Sequence, residues 1–322
     1  MKKILITGAS GFIGGHLVES LILNGYKVRC FVRQTSDINL LKNLPVEIYF
    51  GDVLDRDSLK KAVKDIDYVI HLAGAIKAKD NKTYWLVNYQ GTKNILEVIL
   101  EENIKIEKFV FVSSQAAAGA NKDSKFFREE DQPNPISHYG RSKLKAEDLV
   151  KRINKKFPTI ILRPSLIYGP RDKETLIYFR LFKFGFKANL NRHFSACYIE
   201  DFVRACLLSL EKNVPSGSVY FISDGYSYSL KEINHYLKLL LKPKIIIPIP
   251  FISKILYLLV PILKIISKKP SIINSDRLRE IAAKSWTCDI SKAKKELGYQ
   301  PKIFLKDGLE KTISWYKKYG WL

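Results

Sequence analysis

The first half of the chain alternates between short runs rich in β-branched and aromatic residues and longer stretches with apolar residues at helical spacing. Ile4-Leu5-Ile6 and the segments 27–32, 46–50, 68–72 and 108–112 read as strands. Between them, Phe12, Ile13, Leu17, Val18, Leu21 and Ile22 recur on one helical face. Asp55 is placed to cap a helix over 58–64, and 83–99 repeats apolar residues with helical period. Strands that alternate with helices call for an α/β architecture, a doubly wound parallel sheet.

The first strand runs directly into Thr7-Gly8-Ala9-Ser10-Gly11-Phe12-Ile13-Gly14. In this spacing Gly8 suits a tight turn, Gly11 lets the backbone approach a pyrophosphate, and Gly14 lets the helix pack closely on the strand. Phosphate oxygens would then meet the unpaired amides of the helix N-terminus. A purely structural turn uses the same glycines, but their place between an apolar strand and an apolar-periodic helix favours a dinucleotide site.

A second group of residues carries acid–base chemistry. After 108–112 come Ser113-Ser114, at the carboxyl end of a strand, where such sheets open onto the cofactor crevice. The loop Gln132-Pro-Asn-Pro-Ile-Ser137 leads into a helix capped by Ser137, so Tyr139 and Lys143 share one helix face. A tyrosine ordinarily ionises near pH ~10, and an ammonium one turn away stabilises the phenolate that general acid/base work needs. Ser114 would hydrogen-bond the reacting oxygen. Taken alone, this spacing also fits a surface helix pair worth ~0.2–0.5 kcal/mol.

Composition narrows the classes. The four cysteines (Cys30, Cys197, Cys206, Cys288) form no C-x-x-C pair, the N-terminus enters a strand without a signal-peptide core, and the five histidines lack ligand spacing. A cytoplasmic protein without a metal is expected. The net charge of +22 is spread along the chain and accompanies no nucleic-acid-binding motif, which argues against nucleic acid and leaves a membrane surface open.

With Gly51-Asp52-Val53, His71-Leu72-Ala73-Gly74, Asn88, Arg163-Pro164 and Tyr168-Gly169-Pro170, these motifs resemble the extended short-chain dehydrogenases/reductases. That family includes nucleotide-sugar epimerases and dehydratases, dihydroflavonol reductases and 3β-hydroxysteroid dehydrogenases. The resemblance covers nearly the whole chain. It implies a Rossmann domain over 1–170 with a returning strand near 195–224, and a smaller mixed α/β substrate lobe, mainly 171–322.

The resemblance also implies roles. Gly8, Ser10, Gly11, Phe12, Ile13 and Gly14 would cradle the pyrophosphate, Asp52 and Val53 would hold the adenine, and Leu72, Ala73, Gly74 and Ser113 would line the cofactor groove. Asn88 would support the central helix, Lys143 would also hold the nicotinamide ribose, and Pro164 would pack near the nicotinamide. Gln115, Tyr168, Arg192 and Arg279 fall on the substrate side. Family members often pair through two helices, here 83–100 and 138–151, which implies a homodimer.

Cofactor choice is written at the end of the second strand, where an NAD enzyme places an acid for the ribose 2′-hydroxyl. Here Arg33 takes that place, with Thr35 and Ser36 nearby, which favours NADP over NAD. Arg33 stacking on adenine, or Asp37 folding back, is the competing reading.

In the second half, Tyr198-Ile199-Glu200-Asp201 resembles the family's strand-to-helix element before a helix over 202–210. Nucleotide-sugar enzymes usually place a diphosphate arginine at a fixed distance before it; here Phe194 stands there, with Arg192 displaced by two residues. Arg279 falls near the second arginine position, without the usual proline and glycine after it. The segment 245–266 is apolar nearly all round and flanked by lysines. Its prolines and internal lysines argue against a spanning helix. A short helix packed in the substrate lobe competes with a peripheral membrane contact through 245–269 that admits a hydrophobic substrate. Gly298 marks a helix end, and a last helix docks Leu309, Ile313, Trp315 and Tyr316 on the lobe.

The reading is an NAD(P)-dependent oxidoreductase acting on a secondary alcohol or ketone, with Tyr139 as general acid/base. One alternative is a nucleotide-sugar 4-epimerase or dehydratase with tightly bound NAD. The dehydratase version is disfavoured because Gln115 and Ala116, not acids, follow Ser114. The other is a non-catalytic cofactor-binding protein at a membrane, which would have no need of Tyr139.

Overall fold

A computed structural model describes residues 1–78, 80–102, 104–121, 125–250 and 275–322. Seven strands form one sheet: β1 Lys3–Thr7, β2 Lys27–Val32, β3 Val46–Phe50, β4 Tyr68–His71, β5 Lys108–Val112, β6 Thr159–Pro164 and β7 Ser218–Ile222. Their spatial order is β7-β6-β5-β4-β1-β2-β3, and every pair is parallel. Ile6 sits opposite Cys30 of β2 on one side and Ile70 of β4 on the other. The chain direction across the sheet reverses between β1 and β4, so a crevice opens beyond their carboxyl ends.

Both faces are covered, which is why the strands read as continuous apolar runs. Because side chains alternate along a strand, Ile4 and Ile6 enter one core while Leu5 enters the other. The first core holds Leu17 and Leu21 of α1 (Phe12–Leu23) and Phe202 of α8 (Ile199–Glu211). The second holds Leu59 of α2 (Arg56–Ala62), Ile95 of α4 (Gly91–Glu101) and Val150 of α6 (His138–Arg152). Each wholly buried aliphatic side chain of this kind contributes roughly 1.5–3 kcal/mol.

The helix expected over 83–99 is interrupted. Asn81–Tyr84 (α3) leads into a π turn, Trp85–Gln90, before α4 begins. A widened turn of this kind is uncommon and frequent at functional sites, and this one carries Asn88.

The remaining helices are α5 (Gln115–Ala118), α7 (Lys173–Lys183), α9 (Leu230–Leu241), α10 (Ser275–Ala282) and α11 (Leu305–Lys318). Short strands tie the second lobe together: His193–Phe194 pairs with Tyr228–Ser229 and Ser285–Trp286, and Phe186–Asn189 with Ile247–Pro250. Asp201, buried in α8, accepts from the amides of Lys302 and Ile303 at 2.9–3.1 Å and so anchors the segment before α11. Gly298 closes its helical turn at φ +67°. Of the apolar segment 245–266, Ile247–Pro250 is a strand, and residues from 251 onward lie outside the described residues.

The glycine turn is tight in a way that tests the packing. A Cβ on Gly14 would lie 2.3 Å from the Gly8 carbonyl oxygen and 2.6 Å from that of Ala9, both backbone atoms. Gly14→Ala should therefore displace α1, cost about 1–3 kcal/mol in urea unfolding and weaken NAD(P)H binding. Wild-type stability and affinity in that variant would contradict this packing.

Candidate active site

The crevice is built first by backbone. Gly8 takes φ +76°, and a Cβ there would lie 2.9 Å from the Ala73 amide, so the turn after β1 presses on the end of β4. Gly11 starts α1 with no side-chain cap. The amides that open the helix, beginning with Phe12 and Ile13 beside Ser10, have no intrahelical partner. An uncapped helix start behind glycines too crowded for side chains fits a pyrophosphate.

Behind this turn runs a buried hydrogen-bond chain. The Ala73 amide donates to Thr7 Oγ1 at 3.1 Å, and Thr7 Oγ1 lies 2.7 Å from His71 Nδ1. His71 Nε2 lies 3.1 Å from Thr92 Oγ1, whose own proton goes to the Asn88 carbonyl at 2.6 Å. Donor bookkeeping then puts the imidazole proton on Nε2. Complete burial, and next the charge of Lys143, push His71 down to about 3, so it stays neutral. The chain fixes Leu72, Ala73 and Gly74 against the π turn. Asn88 completes the join, accepting from the Ala75 amide at 2.7 Å and donating to Ser142 Oγ at 2.9 Å.

Lys143 and Asn88 meet at Gly74. A Cβ there would lie 3.1 Å from both Asn88 Oδ1 and Lys143 Nζ, which leaves this edge to backbone alone. Lys143 is buried; its ammonium donates to the Val112 carbonyl at 2.9 Å and sits 4.9 Å above the Phe111 ring. Burial pushes it down to about 8, with Glu147 acting in the opposite sense.

Tyr139 is the second residue of α6, one turn before Lys143, with its ring edge-on to Tyr84 at 6.0 Å. Ser114 caps α5, its Oγ accepting from the Ala116 amide at 3.1 Å. The two helices are jammed together: a Cβ on Gly140 would fall 2.2 Å from the Ala116 carbonyl oxygen. Gly140 thus sets the approach of the Tyr139 turn to the Ser114 turn, a role visible in sequence only as an unexplained glycine inside Tyr-Gly-Arg-Ser-Lys.

Two acids of α10 were not foreseen. Asp276 accepts from the His138 amide at 2.7 Å and the Tyr139 amide at 3.0 Å, and Glu280 from Ser137 Oγ at 2.7 Å. Both are buried, and together they bind the first turn of α6 from the second half of the chain. Nothing in the local pattern of 275–282 links it to residues more than 130 positions earlier.

The other expected residues sort differently. Arg33 and Asp52 line one cleft of about 400 Å³ with Gln34, Thr35, Phe50 and Gly51, while Val53 is buried below it. Ser113 gives its hydroxyl to Glu147 at 2.6 Å, and Glu147 is held by Arg163 at 2.7 and 2.9 Å in a buried pair. Pro164 ends β6. Gln115 is 4% exposed, with its carboxamide nitrogen unpartnered among the described residues. Arg279 is half-exposed on α10, 3.9 Å from Asp276, and Arg192 is part-buried just before the strand His193–Phe194. Tyr168 does not reach the crevice. It is 2% exposed, its hydroxyl lies 3.4 Å from the Leu305 carbonyl, and its ring stands edge-on to Tyr198, so α11 has claimed it for the core.

A sequence model of the NAD dependent epimerase/dehydratase family matches residues 4–223. The chain belongs to that family. It is accordingly a nicotinamide-dependent enzyme. Two curated relatives are each 30% identical to it: the ceramide reductase of Caulobacter vibrioides, over 99% of this chain and 96% of its own, and a putative UDP-glucose 4-epimerase of Methanocaldococcus jannaschii, over 98% of each. Among solved structures, a UDP-glucuronic acid 4-epimerase from Bacillus cereus in complex with NAD is similar at TM-score 0.77 and 27% identity, over 98% of this chain and 99% of that one.

The α10 contacts make a testable demand. Asp276→Asn leaves either the His138 or the Tyr139 amide facing a donor, so turnover should fall about tenfold or more while NAD(P)H affinity stays within about twofold. Unchanged turnover in the folded variant would show that α10 does not align the tyrosine.

Proposed function

We propose that this enzyme is an NADP-dependent reductase or dehydrogenase of a hydrophobic ketone and its secondary alcohol. The bound nicotinamide supplies or takes the hydride at the carbinol carbon. Tyr139 gives the substrate oxygen its proton in reduction and removes it in oxidation, with Ser114 hydrogen-bonding that oxygen. Lys143 stabilises the phenolate that remains. The buried carboxamide nitrogen of Gln115, next to Ser114, offers a donor to a second polar group near the reacting carbon.

The observation that carries the choice over a nucleotide sugar is the character of the substrate lobe. Phe194 stands where nucleotide-sugar enzymes place a diphosphate arginine, and it is buried in the apolar core. The lobe meets the catalytic helix instead with two buried carboxylates, Asp276 and Glu280, a poor setting for a diphosphate. An apolar ketone also accords with the name of the Caulobacter vibrioides relative.

NADP is favoured by Arg33, which is exposed at the adenine-side cleft and makes no ion pair among the described residues. A guanidinium there suits a 2′-phosphate better than a bare hydroxyl.

The direct test offers the enzyme long-chain ketones with NADPH and, separately, UDP-glucose with NAD. Ketone-dependent NADPH oxidation that falls ~10²–10⁴-fold in Tyr139→Phe, with cofactor affinity kept, is expected. UDP-glucose epimerisation with no net redox would overturn the reading. The pH profile has a required sign. Lys143 carries its charge below about 8 and loses it above, so kcat/KM should decline as pH rises through that value. Lys143→Met should lack this limb; a limb that survives the substitution would exclude Lys143 as its source.

A further inference from the structure

Helix α7 is apolar on two faces. Leu176, Phe179 and Phe182 are buried, as an amphipathic helix requires. The opposite side nevertheless carries Ile177 and Leu181, one turn apart, and the helix ends in Phe184, which is 76% exposed. The apolar surface continues across neighbouring backbone. The Ile247 amide donates to the Gly185 carbonyl at 2.7 Å, and a Cβ on Gly185 would lie 2.3 Å from the Ile245 carbonyl oxygen. Ile245, 70% exposed, and Ile247 therefore adjoin Phe184, with Phe186 paired directly to Ile247. Helix α9 is tied to the same strand through Asn234 Nδ2 and the Ala188 carbonyl at 2.9 Å, and adds Leu239, 57% exposed. Scattered single apolar residues need no explanation, but exposed apolar side chains on three adjoining elements, with Phe184, Phe186, Ile245 and Ile247 grouped together, do.

The charge of this region is one-sided. Residues 175–199 and 233–250 contain no Asp or Glu, whereas Arg180, Lys183, Lys187, Lys238, Lys242 and Lys244 all fall within them. Lys183, Lys238, Lys242 and Lys244 are exposed and stand beside Leu181, Phe184, Leu239 and Ile245 in the chain. Phe184 and Ile245 would enter the headgroup boundary while the lysines meet anionic headgroups. Among the described residues no helix is long and apolar enough to cross a membrane.

We infer that the face formed by the α7 end, the strand pair Phe186–Asn189 with Ile247–Pro250, and α9 docks on an anionic phospholipid surface. This goes beyond the reductase reading and does not depend on it, since docking is measured without turnover. The excess of Lys and Arg over acids in 175–199 and 233–250 selects a negatively charged partner, and the exposed aliphatic and phenylalanine side chains select one with an apolar interior, which nucleic acid lacks.

The test is co-sedimentation of the full chain with vesicles of phosphatidylglycerol and phosphatidylcholine, against phosphatidylcholine alone, at low and high salt. Binding to the anionic vesicles only, screened by salt, is expected. It should weaken at least about tenfold in the combined variant Lys238→Glu, Lys242→Glu, Lys244→Glu, and likewise in Phe184→Asp with Ile245→Asp. NADPH affinity measured by fluorescence should stay within about twofold in both, which shows that the variants are folded. Protein left in the supernatant with anionic vesicles at low salt overturns the proposal, as does pelleting that neither variant weakens. Self-association abolished by the same substitutions, without vesicle binding, would assign the face to a second copy and likewise overturn it.

Discussion

The candidate site turns on a charged lysine placed where a protein interior least tolerates one. Among the described residues Lys143 is held by the Val112 carbonyl and the face of Phe111, and burial lowers its proton affinity to about 8 from an ordinary 10.5. Keeping it charged costs on the order of 3 kcal/mol at neutral pH. The sign follows from that shift: between about 8 and 10.5 the unfolded chain binds more protons, so stability should rise with pH across that interval. A fold that retains such a group gives up stability for a cation beside Tyr139. The surroundings are arranged to keep it there. Glu147 lies one turn further along α6, locked by Arg163 and Ser113, while Asn88 and Gly74 define the opposite wall.

Five strands of the seven-stranded sheet were legible because their signals are local. A parallel sheet covered on both sides needs continuous apolar runs, and 27–32, 46–50 and 108–112 coincide with observed strands. The capping roles of Asp55 and Ser137 were equally local, each side chain reaching an amide two or three residues on. The π turn was not legible, since an apolar period near 3.6 looks the same with one extra residue in a turn. What accompanies it is tertiary, the bonds Asn88 makes to Ala75 and Ser142.

Within the candidate site, residues that act through backbone or through their neighbours in the chain were visible, and those that act across the fold were not. Gly8, Gly11 and Gly14 announce themselves by spacing. Asp276 and Glu280 look like the polar side of a short helix until α10 is placed on the start of α6. Tyr168, put on the substrate side by the resemblance, is buried under α11. The two halves of the chain are therefore interdependent, with α10 supplying the side chains that bind the first turn of α6.

We propose that hydride passes between this enzyme's substrate and an exchangeable NADP, with a net change of oxidation state. It is tested most directly by mass spectrometry of the cofactor released from purified protein, together with NADP(H) and NAD(H) titrations. Protein isolated largely free of cofactor, or holding NADP(H) that exchanges readily and binds more tightly than NAD(H), is the predicted result. Stoichiometric NAD that survives purification and does not exchange would contradict the account and point to an enzyme that returns its hydride to the substrate.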